Sequence, residues 1–291
     1  MMKIIFHPQT LRETINQKRK ENKRIALVPT MGNLHAGHLS LVEQAKQKSD
    51  VIVTSIFVNP TQFGVHEDFD RYPRTLEQDS QLLEQAGNHI IFAPNVKTMY
   101  PNGMPPLIEV HAPLLDSLLC GASRPGHFTG VATIVSKLFN LVQPDVAIFG
   151  EKDFQQLLVI RRLVSELAFP IEIIGAPILR EANGLAMSSR NQYLTAEQRA
   201  LAGKIYQQLC VSKNWLLAEK NNTAEKISAH CQQAAEQLNQ LGFQTDYYEI
   251  RRQSDLQSPQ VEDKELVILV ATKLGSTRLI DNLVLSMGDQ V

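Results

Sequence analysis

Residues 24–38 read Arg-Ile-Ala-Leu-Val-Pro-Thr-Met-Gly-Asn-Leu-His-Ala-Gly-His, and this stretch decides the fold. Arg24 to Pro29 is a short apolar run that reads as a strand, and Leu39, Val42 and Ala45 then recur at helical spacing. The string between them is a loop that leaves a strand and enters a helix. A helix N-terminus presents unpaired N–H groups and a partial positive charge. Gly32 and Gly37 permit tight turns, and His35 and His38 sit three apart at the helix entry. Two imidazoles beside free N–H groups suit a polyphosphate. The same pair also reads as a capping pair or as two core-satisfied histidines. A zinc pair lacks a cysteine or carboxylate ligand nearby in sequence.

The same rhythm continues outward. Val51 to Phe57 is a second strand rich in β-branched residues, a helix is expected near 75–86, and His89 to Phe92 is a third strand. Asp145 to Phe149 precedes a helical stretch through Leu157, Ile160, Leu163 and Leu167, and Ile171 to Ile174 closes that unit. Strand, helix, strand in this order predicts an α/β fold, a Rossmann-like parallel sheet with helices on both faces. After about residue 185 the pattern changes. Helical patterns at 195–218 and 223–241 are followed by strand candidates at 245–251, 265–271 and 277–285, which predicts a smaller C-terminal α+β domain. The expected division is 1–184 and 185–291.

Composition removes several function classes. With 29 Lys+Arg against 30 Asp+Glu, the net charge of −1 gives no general pull toward nucleic acid or an anionic membrane. An apolar fraction of 43% is too high for disorder, and the 291 residues suffice for a sizeable core. Cys120, Cys210 and Cys231 are too widely spaced for a thiol redox motif or a cysteine zinc site and fit a reducing compartment. No leader pattern and no run of about 18 apolar residues is found, so a cytoplasmic protein is expected.

Ligands of parallel sheets bind at the carboxyl ends of strands, so the loops there carry the chemistry. Asn59-Pro-Thr-Gln-Phe-Gly64 places the neutral amides of Asn59 and Gln62 at a strand end; they suit hydroxyl and carboxylate groups, or simply build a turn. Ser123 to Val131 reads as another loop, with Arg124 and His127 flanking a Pro-Gly turn. Arg124 is suited to a carboxylate or phosphate, or is a solvated loop arginine. In Phe149-Gly-Glu-Lys-Asp-Phe-Gln-Gln156, Lys152 stands where a helix begins, Asp153 is placed to cap it, and only one of Gln155 and Gln156 is expected to face a site. Arg180 to Asn191 carries Ser188, Ser189 and Arg190, compact phosphate-binding types after a glycine turn, or serves as an interdomain linker. There is no GxGxxG fingerprint and no P-loop. The recurrence of phosphate-suited groups after strands makes a nucleotide site the leading reading.

Taken together the strings resemble those of the pantoate–β-alanine ligases. PTMGNLHAGH is similar to the HxGH nucleotide motif, and MSSRN to the second signature of the HxGH nucleotidyltransferase superfamily. FVNPTQFG, SRPGHFTGV and FGEKDFQQ are more particular to the ligases, and EDFDRYPRT and Met99-Tyr-Pro101 also fit. The resemblance is strong over about residues 25–195. It implies that pantoate carboxylate attacks the α-phosphate of MgATP, giving an adenylate and pyrophosphate, and that β-alanine then displaces AMP.

Carried over by position, the resemblance implies that Met31, Gly32, Asn33, Leu34, His35, Ala36, Gly37 and His38 line the ATP site. Gly150, Glu151, Lys152, Asp153, Leu179, Met187, Ser188, Ser189 and Arg190 would join them. His38, His35 and Lys152 would be catalytic. Gln62 and Gln156 would hold pantoate, with Gln62 also near β-alanine; Asn59, Arg124 and His127 would stand beside that pocket. The implied partners are ATP as substrate, Mg²⁺, pantoate, β-alanine and a second copy in a homodimer, with no nucleic acid or membrane, and the C-terminal domain would cover the active site. Asn183 stands where the family often has Asp, which bears on loop pairing. Asp79 is a candidate acidic contact for Mg²⁺, but no protein ligand is assigned, since Mg²⁺ usually keeps waters and phosphate oxygens. Two other readings compete. A nucleotidyltransferase acting on a phosphate ester would want more cations than Gln62 and Gln156 supply, and a non-catalytic nucleotide-binding module would tolerate the loss of His38 or Lys152.

Overall fold

The computed structural model describes residues 2–64, 67–219 and 222–287. Its elements, in chain order, are β1 (Lys3–Ile5), α1 (Pro8–Lys20), β2 (Ile25–Thr30), α2 (Ala36–Lys46), β3 (Val51–Ile56), α3 (Leu76–Gln85), β4 (Ile90–Phe92), α4 (Val96–Met99), α5 (Pro113–Asp116), α6 (Leu119–Ser123), α7 (His127–Val142), β5 (Val146–Gly150), α8 (Phe154–Glu166), β6 (Glu172–Ala176), α9 (Ala196–Ala202), α10 (Lys204–Ala218), α11 (Ala224–Gln240), β7 (Gln244–Arg252), β8 (Glu265–Leu274) and β9 (Thr277–Ser286). Short 3₁₀ turns occupy Pro60–Gln62, Glu151–Asp153 and Ser189–Tyr193. The chain divides into two compact units: residues 1–151 with 156–177, and residues 152–155 with 178–291.

In the first unit six strands run in the order β1-β4-β3-β2-β5-β6, every pairing parallel. The α/β expectation holds. Ala26 and Val28 of β2 pack with Leu41, Val42 and Ala45 of α2, while Ile25 and Leu27, on the opposite face by the two-residue period, are equally inaccessible. A strand buried on both faces needs a covering layer on each side. The order runs outward from β2 in both directions, through β3 on one side and β5 on the other. The topological switch, where such sheets bind ligands, lies between β2 and β5.

The sequence reading lacked β1, the helices α1, α4, α5 and α6, and the helical nature of α7. β1 is a three-residue edge strand, too short to carry a pattern. Residues 127–131, read as loop, are the first turns of α7. Gly126 takes the left-handed conformation at φ 80°, so the Pro-Gly turn delivers the chain into a helix rather than a loop. In the second unit β7-β8-β9 form an antiparallel sheet. Leu209 and Leu216 of α10 and Ile227, Ala234 and Leu238 of α11 pack on its Ile268 and Val270.

α7 fixes where the β3 loop lies. At Gly130 the helix backbone runs against the carbonyl of Thr61 and the amide of Gln62; a Cβ there would meet the Thr61 oxygen and come within 2.8 Å of the Gln62 nitrogen. Alanine favours a helix by about 1 kcal/mol, but a clash with backbone costs about 1–3 kcal/mol. Gly130→Ala is expected to lower the denaturant midpoint at unchanged m-value; a variant as stable as the parent would mean that residues 60–62 are free to retreat.

Candidate active site

Four pieces of the first unit converge at the carboxyl ends of its strands. The first is the loop after β2. Thr30 donates its hydroxyl to the Ser55 carbonyl at 2.7 Å, tying the end of β2 to β3. Gly32 then turns at φ +81°, and its missing side chain leaves room for Asp79, whose Oδ2 would lie 3.0 Å from a Cβ. Asn33, at φ 52°, is also left-handed. The α3 carboxylate of Asp79, 1% exposed, accepts the Asn33 N–H at 2.9 Å, the Leu34 N–H at 2.8 Å and the Thr75 hydroxyl at 3.1 Å. Sequence reading offered Asp79 as a metal contact; the structure puts both oxygens on the loop backbone.

The loop ends on two histidines that cap α2 reciprocally. His35 Nδ1 accepts the Gly37 N–H at 3.1 Å, and His38 Nδ1 accepts the His35 N–H at 3.4 Å. An Nδ1 that accepts carries no proton, so each neutral ring holds its hydrogen on Nε2. The rings lie 4.1 Å apart, tilted by 46°. Both rings thus sit at the positive end of α2. The alternative of a capping pair is true of Nδ1 in both rings.

The second piece is the turn after β3. Asn59 is 1% exposed. Its Oδ1 accepts the Tyr100 hydroxyl at 2.7 Å and the Thr61 hydroxyl and N–H at 3.1 and 3.4 Å. Its Nδ2 donates to the Gly130 carbonyl and to Gln62 Oε1, both at 3.1 Å. The backbone partners fix which end is oxygen, and Asn59 in turn fixes Gln62: the Gln62 oxygen is occupied and its NH₂ donates to Met31 Sδ at 3.2 Å. Met31 and Gln62, both singled out from sequence, are therefore neighbours. Burial raises the Tyr100 pKa despite its hydrogen bonds to Thr61 and Asn59, so the phenol stays a donor. The Lys137 ammonium sits 4.7 Å from the Tyr100 ring centre, and burial lowers its pKa.

The third piece joins Arg124 and His127 to the same turn. Arg124 grips Glu67 with Nε and Nη2, each at 2.6 Å, and reaches the Gln62 carbonyl at 3.2 Å. His127 Nδ1 donates to the same carbonyl at 2.8 Å and its Nε2 accepts from Arg124 at 2.9 Å. Burial alone would raise the Glu67 pKa, but the hydrogen bond and charge of Arg124 outweigh it and hold the carboxyl below its ordinary value. These groups brace the backbone of Gln62. Glu67 and Tyr100 lie in the strings EDFDRYPRT and Met99-Tyr-Pro101, but no role for either side chain was read from the sequence.

The fourth piece is the end of β5, where Gly150 and Glu151 lead out of the sheet beside β2. Further on, Gln156 is half-buried, while Gln155, which belongs to the second unit, is 4% exposed.

The second unit holds the remaining residues. Lys152 has an 18% exposed side chain with its ammonium 3.9 Å from Asp153. Leu179 is exposed, and Met187 to Arg190 are half-buried at the start of a 3₁₀ turn, with the Ser188 hydroxyl accepting the Arg190 N–H at 3.2 Å. Asn183 accepts the Leu185 N–H at 3.1 Å and donates to the Arg199 carbonyl at 2.8 Å. An aspartate could make only the first bond, so Asn183 adds a tie to α9.

A family profile described as pantoate-β-alanine ligase matches residues 3–284. The chain is 54% identical to the pantothenate synthetase of Pseudomonas entomophila over 99% of each chain, and 54% identical to that of Hahella chejuensis over 99% of this chain and 100% of the other. Its structure is similar to pantothenate synthetase from Thermus thermophilus, with TM-score 0.87, 43% identity and coverage of 97% and 99% of the two chains. It is also similar to pantoate-β-alanine ligase from Francisella tularensis complexed with β-γ ATP and β-alanine, with TM-score 0.79, 35% identity and 98% coverage of each.

Asp79→Asn replaces one of two backbone-facing acceptors by a donor. The loss of a charge-assisted bond and a newly unpaired amide should cost about 2–3 kcal/mol. The expected result is a clear drop in the urea midpoint; an unchanged midpoint would remove Asp79 as the anchor of residues 33 and 34.

Proposed function

We infer the reaction from one premise: this chain belongs to the pantoate–β-alanine ligase family. It is a ligase, and that family's reaction forms pantothenate from pantoate and β-alanine. We propose that ATP drives it through a pantoyl adenylate. In the first step a pantoate carboxylate oxygen bonds to the α-phosphorus, the bond to the β-phosphate oxygen breaks, and pyrophosphate leaves. In the second the β-alanine amine bonds to the acyl carbon and loses a proton, the acyl–oxygen bond breaks, and AMP leaves.

The observation that carries this reading is the adjacency of two unlike groups at neighbouring strand ends: a two-histidine helix N-terminus, and a neutral amide whose NH₂ lies 3.2 Å from Met31 of the histidine loop. Adenylation needs no protein nucleophile. It needs an anion held in line and charge stabilised at the transferring phosphorus. The His35 and His38 side chains, at the positive end of α2, serve the phosphates. The Gln62 NH₂ and Gln156 serve pantoate; a neutral amide holds an anionic acid without burying a second charge. Asn59, Arg124 and His127 act on pantoate through Gln62. Gly150, Glu151, Lys152, Asp153, Leu179 and Met187 to Arg190 complete the nucleotide-binding set.

Mg²⁺ enters as MgATP in this reading. Among the described residues no group of three or more His, Cys, Asp or Glu could hold a metal ion, and both Asp79 oxygens are taken by backbone amides. Mg²⁺ usually keeps phosphate oxygens and waters as its ligands. The reading extends to a cytoplasmic homodimer; no described helix is long and apolar enough to cross a membrane.

The test is AMP release from MgATP with pantoate and β-alanine added singly and together. Turnover to AMP only with both acids is expected; pyrophosphate release with a phosphate ester instead would make the protein a nucleotidyltransferase. In the same assay His38→Ala should fall by roughly 10²–10³, the usual loss for one transition-state donor. Normal turnover in that variant would take His38 out of the mechanism.

A further inference from the structure

Asp281 and Asn282, neighbours on β9, lie about a hundred residues beyond the nucleotide strings, yet both strings of the second unit end on them. Asp281, 4% exposed, receives Arg180 in a two-pronged ion pair at 2.6 and 3.0 Å. Arg180 also donates to the carbonyls of Gly184 at 3.1 Å and Asn282 at 3.3 Å, and its guanidinium lies 3.8 Å from the Tyr206 ring centre. Arg180 thereby closes the hairpin whose return strand, bridged Arg180 to Ala186 and with the Met187 N–H on the Leu179 carbonyl at 2.9 Å, delivers Ser188 to Arg190. The second Asp281 oxygen accepts the Asn282 N–H at 2.8 Å. Asn282, 3% exposed, then donates its side-chain amide to the Lys152 carbonyl at 2.9 Å.

One buried acid thus orients two arms: Arg180 toward the 187–190 string, and Asn282 toward the backbone of Lys152. We propose that Asn282, oriented by Asp281, is a positioning residue for ATP that sets the backbone of Lys152 and with it the direction of the ammonium. The inference rests on the nucleotide role given to Lys152 above. A backbone carbonyl held by a rigid amide fixes the root of a four-carbon side chain, which otherwise loses rotamer freedom on binding phosphate. Precise seating of a charged group is what a positioned transition state requires.

The experiment is steady-state AMP release by the full-length enzyme for Asn282→Ala, Lys152→Ala and the double variant. Asn282→Ala is expected to raise the KM for ATP by about tenfold, the equivalent of one lost hydrogen bond to a constrained group, with the KM for β-alanine unchanged. On the Lys152→Ala background the same change should add nothing, since there is no ammonium left to seat. Asn282→Asp keeps the volume but turns the donor into an acceptor, so it should show the same ATP-specific defect even if the alanine variant folds poorly. Unchanged ATP kinetics in both Asn282 variants, or losses that simply multiply in the double variant, would overturn the proposal. If Lys152→Ala alone leaves ATP kinetics intact, the role of Lys152 fails, and the proposal falls with it for that separate reason.

Discussion

The carboxylate of Asp79 on the amides of Asn33 and Leu34 is the contact on which the site of the first unit depends. The loop between β2 and α2 takes two consecutive left-handed residues, Gly32 and Asn33, a path that backbone sterics disfavour for Asn. Its amides face away from any strand partner and would be unpaired without an acceptor. Asp79 supplies that acceptor from a different element, and the loop then delivers His35 into the N-cap of α2. Everything after it follows: the histidine Nδ1 atoms are used on backbone, their hydrogens sit on Nε2, and Met31 is left beside Gln62.

Reading the sequence reached the local parts of this and missed the distant ones. β2, its loop and α2 are contiguous, so spacing alone placed both histidines at a helix entry. The alternation that marks β3 to β6 is likewise local, and the parallel sheet followed. Asp79 stands 45 residues from Leu34, and nothing in its neighbourhood marks it as the acceptor for that loop. Tyr100 is 41 residues from the Asn59 it orients, and Glu67 is 57 from Arg124. These are facts of tertiary pairing. The Pro-Gly turn before His127 illustrates the other failure: turn chemistry was recognised, but the helix it opens was hidden because its first residues, His-Phe-Thr-Gly, show no apolar period.

The residues found from sequence and those found only in the structure differ in kind. Arg124 and His127 looked like ligands because their side chains are good anion partners, and both prove to hold the Gln62 carbonyl, with Glu67 taking the Arg124 charge. Residue type therefore reports capacity, while hydrogen-bond partners report use. Asn183 shows the reverse: it looked like a lost charge, and its amide makes a bond to the Arg199 carbonyl that a carboxylate cannot.

The chain from Tyr100 through Asn59 to Gln62 has a consequence for discrimination between ligands of opposite sign. A free glutamine is ambidextrous: it flips to show oxygen to an ammonium or nitrogen to a carboxylate. Here the Tyr100 hydroxyl and the Thr61 backbone saturate one end of Asn59, Asn59 saturates the oxygen of Gln62, and the flip is forbidden. What remains is an amide that offers its NH₂, the end that suits an oxygen acceptor, in the site proposed above. It is set by a buried phenol that need never meet the ligand, and it works without placing a single formal charge at that position.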